Sequence, residues 1–118
     1  MVKPNLFCKV FIDTEIHQDE LLHLINSEIS GEVNKLEITN STLIIEIRKN
    51  VEFDSVRSEN LSDGFLFYKY YLEIEPFSEV VERDYIKAVA DLLKKLWESN
   101  IGAVAACDFE DLLPRNSR

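Results

Sequence analysis

Three groups of residues have the types and spacings that chemistry uses. The run His17-Gln-Asp19-Glu20-Leu-Leu-His23 contains one Glu-x-x-His, a spacing that puts a carboxylate and an imidazole on adjacent turns of one helix face. Carboxylate-bridged di-iron proteins use it twice, with two further Glu, inside a four-helix bundle. Here there is one copy, there are two predicted helices, and there is no His-Glu-x-x-His, so the plainer reading is an exposed acidic first turn. The second group, Asp108-Phe-Glu110-Asp111, follows the last predicted strand, and carboxyl ends of strands are where α/β sheets often place ligands. Three acids can hold a hard cation and two can perform acid–base work. No His, Lys or Ser is fixed beside them by the sequence, which favours a solvated acidic loop. The third group is Tyr68, Tyr70, Tyr71, Glu73 and Glu75. Half of these rings must be core. Those on an open sheet face, together with Phe7 and Phe11, would make an aromatic patch rimmed by acids, a composition that marks interaction surfaces. Nucleophile motifs, phosphate-binding loops, a dinucleotide fingerprint and zinc spacings are all missing. No catalytic residue, metal ligand or cofactor is assigned.

The elements that must position these residues are readable because Gly and Pro are scarce, three of each. Leu6 to Asp13 alternates, with Leu6, Cys8, Val10 and Ile12 on one face and Phe7, Lys9, Phe11 and Asp13 on the other, as a strand does. From His17 to Ser30 the period becomes helical through Leu21, Leu24, Ile25, Glu28 and Ile29; Thr14 is the expected cap and Ser30-Gly31 the stop. Glu32 to Thr39 and Thr42 to Lys49 alternate again around Asn40-Ser41, which predicts a hairpin. Asn50 to Gly64 is a long polar loop, of the kind that is either mobile or functional, and it can fold over the open sheet face. Phe65 to Glu75 is an aromatic strand stopped by Pro76. Glu82 to Asn100 is the clearest helix, with Tyr85, Ile86, Val89, Leu92, Leu93, Leu96 and Trp97 at i, i+3, i+4, i+7 spacing and Gly102 as its stop. Ala103 to Phe109 is a short strand of small residues, and Arg115 to Arg118 are expected to fray.

The order β-α-β-β-β-α-β describes one α+β domain over residues 1–118, a ferredoxin-like sandwich with an extra strand and two helices on one face of a mainly antiparallel sheet. A chain of 118 residues hides roughly two-thirds of its unfolded surface on folding, enough for one core. Cys8 and Cys107 do not make a disulfide framework, and each reads as a small buried apolar residue in its strand. With no apolar run near the roughly twenty residues of a membrane span and no signal-peptide pattern at Met1-Val2-Lys3-Pro4-Asn5, the expected compartment is the cytoplasm.

Charge narrows the partners. The net charge is −9, spread evenly: residues 1–59 carry 6 bases and 11 acids, and residues 60–118 carry 7 and 11. A chain that cannot neutralise phosphates is not expected to bind nucleic acid, nor an anionic membrane surface. A basic protein surface is the complement of such a charge.

Two segments, Asp63-Gly-Phe-Leu-Phe-Tyr-Lys-Tyr-Tyr-Leu-Glu-Ile-Glu-Pro76 and Ala103-Val-Ala-Ala-Cys-Asp-Phe-Glu-Asp-Leu-Leu-Pro114, together with the helix between them, resemble a family of small, acidic, uncharacterised bacterial proteins. That family looks like the immunity proteins of polymorphic toxin systems. The resemblance covers the second half of the chain, and it implies a non-enzymatic inhibitor that blocks a basic toxin domain. Tyr70 and Tyr71 are then the candidate anchors, with at most one on the exposed face. Glu73, Glu75, Asp108, Glu110 and Asp111 are the candidate acidic contacts. Two other readings stand beside it. One is a small enzyme or cation-binding protein built on Asp108 to Asp111; the other is a structural domain that pairs as a homodimer through its open sheet face.

Overall fold

The computed structural model describes residues 5–61 and 63–115. The alternation in the chain becomes β1 (Cys8–Asp13), β4 (Leu43–Lys49), β5 (Tyr70–Pro76) and β6 (Gly102–Ala106), and the helical periods become α1 (Gln18–Ile29) and α3 (Glu82–Glu98). A hairpin of two short strands, β2 (Glu32–Asn34) and β3 (Glu37–Thr39), and a short helix α2 (Ser55–Asn60) complete the set. All six strands form one sheet in the order β2-β3-β4-β5-β1-β6, every neighbouring pair antiparallel. The run β4-β5-β1-β6, with α1 and α3 as its two crossover helices, is the ferredoxin-like arrangement of an α+β fold, and the β2–β3 hairpin extends it beyond β4.

The core lies between the sheet and the two long helices. Cys8, Val10, Ile12, Leu43, Ile45, Leu72 and Ile74 project from the strands, and Leu21, Ile25, Val89, Leu92 and Leu96 from α1 and α3; all are fully buried. Each such aliphatic side chain contributes about 1.5–3 kcal/mol relative to an exposed one. Tyr85 is buried among them. Its hydroxyl donates to the Ile74 carbonyl at 3.2 Å, and its ring meets Phe109 edge-on at 5.9 Å. Among the described residues no helix is long and apolar enough to cross a membrane.

Several local expectations are corrected. Glu32 to Thr39 is not one strand, because Lys35 takes a left-handed φ of 57° and opens a two-residue turn between the paired Asn34 and Glu37. Thr14 does not cap α1; His17 does, its Nδ1 accepting from the Asp19 N–H at 3.2 Å. The left-handed residue after α3 is Asn100, φ 62°, not Gly102. Phe65 to Phe67 is not strand but part of a 3₁₀ turn over Gly64–Phe67, and β5 begins at Tyr70. The loop after β4 holds the one-and-a-half turns of α2, capped by Asp54, whose Oδ1 accepts from the Val56 and Arg57 amides. The expected fraying of the C-terminus falls, beyond Arg115, outside the described residues.

Candidate functional site

The sheet face away from α1 and α3 carries the site. Register builds it in rows that run across the strands. Glu37 pairs with Glu46, Glu46 with Glu73, and Glu73 with Lys9. Three carboxylates therefore stand directly opposite one another on three adjacent strands. Glu75, two residues on from Glu73 and so on the same face, lies opposite Ile44. Like charges in direct opposition destabilise a sheet, by an amount on the order of 0.5 kcal/mol per pair. One cation offsets part of this: Arg48 pairs through Nη2 with Glu46 and through Nε with Glu73 at 3.3 Å. Lys9, next along the row, lies over the Tyr71 ring, its Nζ 4.1 Å from the centroid. Between the carboxylates is a shallow hollow of about 80 Å³ lined by Phe7, Glu37, Ile44, Glu46, Glu73 and Glu75. Phe7 and Ile44 make part of its lining apolar, and the four glutamates make the rest acidic.

The other end of the same face is closed. Phe11 packs edge-on against Phe65 at 5.5 Å and tilted against Tyr71 at 6.1 Å, and is buried as a result. Phe65 arrives there on the loop between β4 and β5, so that loop covers the aromatic end and leaves the acidic end open. Asn50, the one buried polar residue among those described, fastens the loop at its base. Its Nδ2 donates to the carbonyls of Leu66 and Tyr68 at 2.9 and 2.8 Å, and its Oδ1 accepts from the Glu52 amide at 3.0 Å. Gly64 makes the return possible, since a Cβ there would run into the Ser58 carbonyl. The outside of the loop exposes Val51 (95%), Phe53, Val56, Leu61 and Leu66, an apolar rim beside the covered end of the sheet face.

The structure separates the candidate contact residues. Tyr71, Glu73 and Glu75 are on the open face. Tyr70 is on the opposite face, 2% exposed, its hydroxyl donating to the Ile16 carbonyl at 3.3 Å; it is a core residue and is corrected out of the contact set. Asp108, Glu110 and Asp111 are exposed but none lines the hollow. Glu110 instead borders a groove on the far edge of β6, with Leu93, Trp97, Leu113 and Pro114. Glu20 and His23 are exposed on α1. Among the described residues no three His, Cys, Asp or Glu side chains converge to hold a metal ion. Nothing in the sequence alone singles out Glu37 or Glu46. Alternation gave the face of Glu46, but only strand order and register bring Glu37, Glu46 and Glu73 into one row.

No protein-family model, curated protein or solved structure matches the chain.

Proposed function

We propose that this chain is a non-enzymatic binding protein, a cytoplasmic inhibitor of the immunity type, that blocks a basic toxin domain by seating one of its Lys or Arg side chains in the acidic hollow. The observation that carries this reading is the hollow itself. A long basic side chain buries its methylene stem on apolar atoms and keeps its charged head polar-bonded; Phe7 and Ile44 suit the stem, and Glu37, Glu46, Glu73 and Glu75 suit the head. Charge-assisted bonds from a guanidinium or ammonium to carboxylates are among the stronger hydrogen bonds. The row of opposed glutamates is a cost in the free protein that a cation from outside would offset. The net charge of −9 would speed encounter with a basic partner and suppress acidic ones. The exposed apolar residues of the loop supply the uncharged contact area that ion pairs alone do not.

The test is purification of partners from the source cell, alongside the products of neighbouring genes, followed by titration. A basic protein is expected to bind, with affinity that falls as salt rises and by roughly tenfold or more in Glu73→Lys or Glu46→Lys. Binding that ignores both salt and these reversals, or a neutral or acidic partner, would overturn the reading.

A further inference from the structure

The two cysteines of the chain are 99 positions apart, yet the fold sets them face to face. β1 and β6 are antiparallel neighbours whose last paired positions are Lys9 and Ala106. The next position along, where β6 gives way to a bend, puts Cys8 against Cys107, and the two thiols lie close enough for each to shift the other's titration. Cys8 lies on the helix side with Val10 and Ile12; Cys107 is in phase with Ala103 and Ala105.

One hydrogen bond fixes which kind of position this is. The Trp97 indole N–H donates to the Ala103 carbonyl at 3.1 Å, so that carbonyl is directed away from β1. Alternation along the ladder then makes Val104 and Ala106 the residues bonded to β1, and Cys107 a non-hydrogen-bonded position. At such positions opposed Cα atoms are roughly 4.5 Å apart and the side chains are at their closest. That separation lies inside the range of roughly 4.4–6.8 Å over which a disulfide spans without backbone movement.

We propose that Cys8 and Cys107 are a dithiol that a peroxide converts into an intramolecular cross-strand disulfide, joining β1 to β6 close to both ends of the chain. Burial divides the labour. Cys107 is partly exposed and meets the oxidant, while Cys8 is fully buried and reacts second. The Cys107 thiolate attacks one peroxide oxygen, the O–O bond breaks, and hydroxide leaves to take up the thiol proton as water. Cys107 is then a sulfenic acid. The Cys8 sulfur attacks the Cys107 sulfur, the S–S bond forms, the S–O bond breaks, and the departing hydroxide leaves as a second water with the Cys8 proton. Two thiols lose two hydrogens, and one peroxide becomes two waters.

The surroundings make this a slow clasp rather than a fast sensor. Burial raises both thiols above their ordinary value of 9.0, and the Glu110 carboxylate adds to the rise. Reactivity follows the thiolate fraction, so closure accelerates as pH rises above 9. The coupling is independent of the proposed binding function.

The experiment treats the full native chain at low concentration with hydrogen peroxide and reads it by intact mass and non-reducing peptide mapping. A monomer lighter by two hydrogens, a Cys8–Cys107 linked peptide, and a thermal midpoint raised by roughly 10 °C and restored by dithiothreitol are expected. In Cys8→Ser, Cys107 is expected to progress to sulfinic acid; in Cys107→Ser, Cys8 is expected to survive as a thiol. Wild-type protein that accumulates Cys107 sulfinic acid beside an intact Cys8 thiol, or that forms only intermolecular dimers, would overturn the proposal, and neither result depends on a variant folding.

Discussion

Asn50 offers the sharpest test of how the open face is shaped. Its side chain makes three hydrogen bonds, two donated to the Leu66 and Tyr68 carbonyls and one accepted from the Glu52 amide. Its backbone makes two more, donating to Lys69 and accepting from Phe53, and these survive any substitution except proline. At about 1 kcal/mol net for each side-chain bond, Asn50→Ala is expected to cost about 3 kcal/mol, or roughly 10 °C in thermal midpoint for a chain of this size. Asn50→Asp is nearly isosteric and keeps the accepted bond, but it turns both donated bonds into a carboxylate facing two carbonyl oxygens. It is therefore expected to cost more than alanine at neutral pH. Below about pH 4, where an ordinary Asp gains a proton, it recovers one donated bond and the order reverses. Urea unfolding followed through Trp97, the single tryptophan, reads the global cost. Tryptic cleavage at Arg57 reads whether the loop opens first. If Asn50→Asp is the milder variant at neutral pH, or if Asn50→Ala costs less than about 1 kcal/mol, the amide donors are not what closes the loop.

Other outcomes follow from the same geometry. Glu37→Gln, which removes a charge opposite Glu46 that Arg48 does not reach, is expected to stabilise the protein by about 0.5 kcal/mol. Added salt should stabilise the wild type more than this variant in denaturant titrations. Burial raises Tyr85 and Cys8 above their ordinary values of 10.0 and 9.0, so the folded state holds these protons after the unfolded state has released them. Their contribution is complete below pH 9 and is lost as pH rises beyond it; midpoints measured from pH 8 to 11 should fall, and fall less in Tyr85→Phe. Gly64→Ala, which drives a methyl group against the Ser58 carbonyl, is expected to cost about 1–3 kcal/mol and to expose Arg57 to trypsin before global unfolding.

Much of this architecture is legible in the chain because it rests on period alone. The seven apolar positions of α3 need no partner to be recognised, and the alternation of Cys8–Asp13 and Leu43–Lys49 separates core from open face residue by residue. Tyr70 and Tyr71 differ in parity, so the sequence requires them to face opposite ways; deciding which way needs the helices in place. What is not legible depends on contacts distant in sequence. The loop conformation hangs on Asn50 meeting carbonyls sixteen and eighteen residues away, and no local pattern announces that. Phe65 to Phe67 has strand composition, yet that tie and the close approach at Gly64 hold it in a 3₁₀ turn. Lys35 at positive φ is unfavourable by local propensity; the pairing of Val33 with Ile38 on either side supports it. The glutamate row and the cysteine pair are products of register, which alternation specifies only once strand order is known.

The indole that holds the Ala103 carbonyl also decides how this sheet ends. A terminal strand offers its unpaired amides and carbonyls to any other strand, and an uncharged terminal strand does little to refuse. β2 refuses by being three residues long and carrying Glu32. β6, reading Gly-Ala-Val-Ala-Ala, has no charge, no proline and only small side chains. Trp97 occupies one of its outward carbonyls, and just past its end the turn that follows occupies the Cys107 carbonyl with the Glu110 amide. The strand is thus blocked near both ends, and only a short stretch around Ala105 is left to recruit a neighbour. One ring nitrogen and one turn thus shorten the edge that this strand offers to another sheet.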